Sequence, residues 1–151
     1  RQRFAPVLEV ISRNNPGQRA TDFCYTLPDG RLRTLLGTPA ARDRLLLLFY
    51  DPDCEHCREV LAEMTTDAAL DRALADGRLA LLAVYTEGDE ALWRQTLSSL
   101  PPTWQVGFDA QTSVRSRLLY DLKAMPTLYL MDGEHTILLK DPSFDDVRAT
   151  L

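Results

Sequence analysis

Cys54 and Cys57, separated by two residues, are the side chains whose type and spacing define specific chemistry; a third cysteine, Cys24, stands alone. A C-x-x-C pair has two common uses. As half of a zinc site it needs two more ligands to close a tetrahedron. The remaining candidates are Cys24, His56 and His135, and His56 lies between the two cysteines, where it cannot easily join them around one metal. No metal is therefore expected. As a redox pair, the motif needs an exposed first sulfur, a stabilised thiolate, and a second sulfur within bonding distance. A helix start supplies all three. Its unpaired N–H groups and positive dipole end favour the thiolate, and one turn brings the second cysteine beneath the first.

The elements around the pair support that placement. Residues 45–50 (LLLLFY) are continuously apolar, as in a strand covered on both faces. Asp51-Pro52-Asp53 ends it. A helix is expected from about Cys54, with Asp53 as N-cap and one stripe running through Val60, Leu61, Met64, Ala68, Leu70 and Leu74 to Asp76-Gly77. Residues 79–85 form the next buried strand, 89–100 a helix, 104–108 a short strand and 112–119 a helix. Strands at 127–131 and 136–140 meet at a tight Asp132-Gly133 turn. Ser143 caps a last helix, with Asp145 and Asp146 in its first turn. Upstream, 22–27 and 31–36 alternate about Pro28-Asp29-Gly30 and predict a β-hairpin. Phe4, Val7, Leu8 and Ile11 predict a helix stopped by Asn14-Asn15-Pro16-Gly17. Strands separated by helices imply right-handed parallel crossovers, and the hairpins add antiparallel strands. The expected class is α/β, with a mixed central sheet flanked by helices.

Composition narrows the partners. The chain has 151 residues, 45% of them hydrophobic, which suits one domain over 1–151, with 1–20 as lead-in and the final helix cut short. A net charge of −5 gives no general attraction for phosphate backbones, so no nucleic-acid partner is expected. The longest apolar runs fall far short of the roughly 18 residues that cross a bilayer. A chain starting at Arg1 rather than Met is expected to be a processed or cloned fragment that has lost any export signal. Cys24 reads as a small buried apolar residue. His135 reads as exposed. Trp93, Trp104 and Tyr120 read as packing aromatics, and Tyr50 as a residue flanking the site.

The stretch 45–61, LLLLFYDPDCEHCREVL, resembles the strand, C-x-x-C and helix of the thioredoxin superfamily. Met125-Pro126-Thr127, in AMPTLYLMDG, resembles that superfamily's cis-proline segment. The hairpin at 20–36 looks like the entry of the TlpA/ResA-like branch and of peroxiredoxins, and the β-α unit at 79–100 fits the TlpA/ResA-like branch. The resemblance covers nearly the whole chain from about Thr21. It implies a thioredoxin-like fold with an N-terminal hairpin extension and an extra β-α unit, and thiol–disulfide oxidoreductase activity. Cys54 would attack a substrate disulfide and Cys57 would resolve the mixed disulfide. Pro126 would be cis, setting the Met125 backbone beside the sulfurs, where Met125, Thr127 and Tyr50 meet substrate. Glu55, His56, Met125 and Pro126 would modulate the pair. The implied setting is the bacterial periplasm or cell envelope. The implied partners are protein disulfides or dithiols and an upstream thiol donor; the implied state is a monomer, with no cofactor beyond the redox-active disulfide.

The chain departs from the superfamily pattern at three positions. Asp53 stands where thioredoxins have Trp, Leu48 where they bury an Asp, and Val60 where some ResA-like proteins place a Glu. Glu55, Glu59 or Glu63 are the candidates to replace the missing carboxylate. Two alternatives are weighed. A non-catalytic binding or SCO-like copper module would use C-x-x-x-C and a distant His. A peroxiredoxin-like peroxidase would have Thr at the position of Asp51. An imidazolium at His56 favours the Cys54 thiolate, while Asp51, Asp53, Glu55 and Glu59 oppose it. The expected reduction potential is therefore intermediate, roughly −250 to −150 mV. A glutathione or dithiothreitol redox titration measures it, and a value well outside that window refutes the expectation.

Overall fold

The apolar run at 45–50 forms β3 (Arg44–Tyr50), whose last six residues are fully buried. In this computed structural model, residues 12–40, 44–122 and 124–151 are described. β3 belongs to a seven-stranded mixed sheet with β1 (Cys24–Thr26), β2 (Leu32–Thr34), β4 (Ala80–Tyr85), β5 (Gln105–Phe108), β6 (Thr127–Asp132) and β7 (Ile137–Lys140), in the order β2-β1-β5-β4-β3-β6-β7. β3 runs parallel to β4 and antiparallel to β6, so that Leu47 pairs with Leu82 on one side and Tyr129 on the other. The helices are α1 (Glu55–Thr65), α2 (Ala68–Ala75), α3 (Glu90–Thr96), α4 (Ser113–Ser116) and α5 (Phe144–Arg148). The fold is thioredoxin-like.

Side chains alternate across a strand, so β3 feeds two cores. Leu46, Leu48 and Tyr50 pack with Cys57 and Met64 of α1, Leu70 of α2, Trp93 of α3 and Phe144 of α5. Leu45, Leu47 and Phe49 pack on the opposite face with Phe23, Tyr25, Tyr120 and Tyr129. Fully burying one such leucine contributes about 1.5–3 kcal/mol. The same alternation corrects the expectation for Cys24. Phe23 and Tyr25 point into the core, so Cys24 between them points out and is exposed.

Helix boundaries depart from the sequence pattern where side chains compete for the backbone. The single helix expected through residue 74 is two. Thr66 Oγ1 donates back to the Ala62 carbonyl at 2.8 Å, and Asp67 N-caps α2 by accepting from the Leu70 N–H at 2.9 Å. Asp53 is not the cap of α1. Cys54 occupies that position with an extended backbone and no side-chain cap bond. α3 stops at Thr96, where Thr96 and Ser99 hydroxyls bond back to the Trp93 and Thr96 carbonyls. The helix expected at 112–119 is reduced to α4. Ser143 does cap α5, in a reciprocal capping box with Asp146. The helix expected from Phe4, Val7, Leu8 and Ile11 lies outside the described residues.

The β6–β7 connection is longer than a two-residue turn. Gly133, Glu134 and His135 form a three-residue loop in which His135 takes φ +64°, the left-handed position such loops require. Asp132 Oδ1 holds the loop by accepting from the Glu134 and Thr136 N–H groups, each at 2.9 Å. That geometry turns His135 inward. Contrary to the sequence expectation it is buried, with Nε2 2.8 Å from the Thr38 carbonyl oxygen.

Asp67 does two jobs at the α1–α2 break, since its Oδ2 accepts from Arg148 Nε at 2.6 Å. Asp67→Ala is expected to cost about 1 kcal/mol through the lost cap, read by urea unfolding. The Leu70 amide, and then Arg148, hold the Asp67 carboxyl below its ordinary value of 3.8. Its contribution is therefore complete above that value and lost as pH falls through the lowered one. The stability gap between wild type and Asp67→Asn should narrow in acid; a gap that widens there contradicts the assignment.

Candidate active site

The strand-to-helix turn 51–54 is built by its own polar groups. The Cys54 N–H donates to the Asp51 carbonyl at 3.1 Å, and the Asp53 N–H donates to Asp51 Oδ1 at 3.0 Å. Arg58 reaches back from α1 and donates through Nη1 to the Pro52 carbonyl at 2.8 Å. Cys54 is thereby held at the N-cap of α1, half-buried, where the unpaired amides of the first turn favour a negative charge.

Cys57 sits one turn further along and is fully buried against the core formed by Leu46, Leu48 and Leu128. Its sulfur accepts a hydrogen bond from the Asp51 backbone N–H at 3.3 Å. Burial pushes the Cys57 thiol up to about 11, and the Asp51 N–H pulls it the other way. The Cys54 and Asp51 charges add to the rise, while Arg58 opposes it. The two sulfurs are thus unlike. One is reachable at a helix start; the other is enclosed and holds its proton.

The Met125–Pro126 peptide is cis, and the Met125 carbonyl oxygen lies 4.0 Å from Cys54 Sγ. Met125 and Pro126 are half-buried. The structure thus brings Cys54, Cys57, Met125 and Pro126 together. His56 and Glu55 are exposed on α1, and His56 Nδ1 is 3.8 Å from Glu59 Oε1. His56 and Pro126 line a cleft of about 210 Å³ with Val60, Leu128 and Phe144.

Two residues expected to meet substrate do not present their side chains. Thr127 is buried, its hydroxyl donating to the Ala124 carbonyl at 2.7 Å. Tyr50 is fully buried, its hydroxyl 2.8 Å from Thr96 Oγ1. Thr96 in turn donates to the Trp93 carbonyl, so Tyr50 is the donor of that pair. Tyr50 ends β3 and Thr127 opens β6, and the packing around both strand ends covers them. Glu59 and Glu63 turn to other partners: Glu59 to His56, and Glu63 to Arg148 at 3.5 Å. Sequence reasoning counted Asp51 only as a nearby charge. Its contact with Cys57 depends on the turn folding back over α1, which residue type alone does not reveal. Among the described residues, no group of three or more His, Cys, Asp or Glu side chains is placed to hold a metal ion. No described helix is long and apolar enough to cross a membrane.

Solved structures match this arrangement. A thioredoxin-like protein from Bacteroides caccae superposes on 99% of the chain with a TM-score of 0.90 and 32% identity; this chain spans 53%, about half, of that protein. The C-terminal domain of an uncharacterized protein from Bacteroides fragilis matches 91% of this chain and 97% of its own, with a TM-score of 0.86 and 32% identity. The thioredoxin domain of a thiol-disulfide oxidoreductase from Bacteroides vulgatus shares the fold at a TM-score of 0.74 and 20% identity, over 90% of this chain and 94% of its own. No protein-family model matches the chain, and neither does any curated protein. The chain thus has the thioredoxin-like fold, and it is similar to the thioredoxin-like protein of Bacteroides caccae over nearly all of its own length.

The unlike environments of the two sulfurs can be titrated separately through thiolate ultraviolet absorbance. In a Cys24→Ser, Cys54→Ser background, Cys57 should ionise well above the ordinary thiol value of 9.0, near 11. At neutral pH that leaves roughly hundredfold less thiolate than an ordinary cysteine. Ionisation of Cys57 at or below the ordinary value would contradict the buried placement.

Proposed function

We propose that this domain is a thiol–disulfide oxidoreductase of the TlpA/ResA-like type, exchanging a Cys54–Cys57 disulfide or dithiol with protein substrates in the bacterial envelope. The observation that carries the reading is the juxtaposition at the helix start. Cys54 Sγ is half-buried and 4.0 Å from the Met125 carbonyl oxygen, with Cys57 enclosed one turn behind it.

The asymmetry sets the order of events. The Cys54 thiolate attacks one sulfur of a substrate disulfide and forms a mixed disulfide, releasing the other substrate sulfur as a thiolate. The Cys57 sulfur then attacks Cys54, closing the intramolecular disulfide and freeing the substrate's second thiol. An upstream thiol donor returns the pair to the dithiol. The Met125 backbone, beside Cys54, offers a polar edge along which an extended substrate chain can lie. Running the same steps in reverse oxidises a substrate, and the potential relative to the partners sets the direction. The envelope setting rests on the TlpA/ResA-like character of the β1–β2 entry. The cysteine pair is the only redox group these steps require.

Insulin reduction in the presence of dithiothreitol tests the mechanism. Cys54→Ser is expected to fall to the uncatalysed background. Cys57→Ser should still attack but accumulate mixed disulfides, seen as adducts on a non-reducing gel. If Cys54→Ser reduces insulin as fast as wild type, the reading is wrong.

A further inference from the structure

We propose that the Asp51 carboxylate accepts the proton of the Cys57 thiol when the mixed disulfide on Cys54 is resolved. The inference rests on the redox reading above and supplies the proton-transfer group that reading lacks. A thiol is a poor nucleophile until it loses its proton. Cys57 is fully buried in an apolar cluster that includes Leu46, Leu48 and Leu128.

The ionisable groups facing Cys57 are few. β3 brings Tyr50, α1 brings Cys54 and Arg58, and the turn brings Asp51. Tyr85 of β4 packs against Tyr50 with ring centroids 6.0 Å apart and faces Asp51. β6 contributes Leu128 to this cluster. Tyr50 donates its hydroxyl proton to Thr96, and burial holds both tyrosines in their neutral form. A guanidinium has no acceptor, and that of Arg58 is engaged on the Pro52 carbonyl. During resolution Cys54 is bonded to substrate. Asp51 is the group left with an acceptor to offer.

Its placement suits the task. The Asp51 backbone N–H is 3.3 Å from Cys57 Sγ, and the carboxylate hangs from the same Cα. The Asp53 N–H fixes Oδ1 at 3.0 Å, so the side chain is held at the mouth of the site. Asp51 is half-buried, so its carboxylate can exchange a proton with solvent, and a proton from the nearby sulfur can reach it directly or through one water once the mixed disulfide has formed.

The step balances. The Cys57 S–H bond breaks and its proton passes to the Asp51 carboxylate. The sulfur's electron pair forms the bond to Cys54 Sγ. The bond from Cys54 to the substrate sulfur breaks, and that sulfur leaves with the electron pair as a thiolate. The cysteine pair is oxidised by two electrons, the substrate disulfide is reduced, and Asp51 returns its proton to water.

The proton-acceptor role and a purely electrostatic one predict opposite signs for Asp51→Asn. A mere negative charge near Cys57 holds the proton on sulfur, so removing it would speed closure. A proton acceptor speeds closure, so removing it slows closure. The test is stopped-flow reaction with 5,5′-dithiobis(2-nitrobenzoate) in the otherwise intact Cys24→Ser chain. The first release of nitrothiobenzoate reports attack by Cys54; the second reports closure by Cys57. Asp51→Asn should leave the first phase no slower than in wild type and slow the second by about tenfold or more at pH 7. The deficit should shrink as pH rises, and Asp51→Glu should recover part of it. A second phase as fast as wild type, or faster, overturns the inference while leaving the redox reading standing. A wild type that releases only one equivalent overturns the redox reading and the inference with it.

Discussion

Enclosure of the Cys57 sulfur at the end of β3 is the constraint on which the site depends. It requires a strand covered on both faces and a helix that begins at once beyond a short turn. It also requires a donor from that turn, the Asp51 N–H, to satisfy the sulfur. The same turn leaves Cys54 at the helix cap, facing the Met125 carbonyl. Two cysteines of identical covalent structure thereby acquire different environments: desolvation penalises the charged form of Cys57, while Cys54 stays reachable at the helix start.

The wall of the site depends on a second, more distant joint. Arg148 contacts Glu63 of α1, Asp67 at the α1–α2 break and Asp145 of its own helix, and its guanidinium lies 4.7 Å from the Phe144 ring centroid. Exposed ion pairs contribute little singly. Here one guanidinium serves three carboxylates and a ring, so α5 is tied to the helix that carries the cysteines. The cleft lined by His56, Pro126 and Phe144 lies along that joint.

Much of this was legible in the residues, and the illegible part has a common cause. The run at 45–50, the C-x-x-C after it and the Met-Pro-Thr segment at 125–127 carry strong local signals, because a doubly buried strand and a helix start impose composition directly. Boundaries decided by competition between side chain and backbone are weaker signals. The break at Thr66-Asp67 and the early end of α3 both arise from hydroxyls and a carboxylate bonding locally where an apolar stripe suggested continuation. Orientation was weaker still. Cys24 and His135 were each misjudged on exposure, since facing is set by register and by the loop that turns His135 inward.

Leu48 carries a wider consequence. A hydrocarbon side chain at this point leaves β3 with no carboxylate in the buried cluster that holds Cys57. The interior of β3 then behaves as an insulator. A charge that appears on the enclosed Cys57 sulfur finds no ionised partner in the buried run 45–50 and is met from the turn above it, where the Asp51 N–H lies 3.3 Å away.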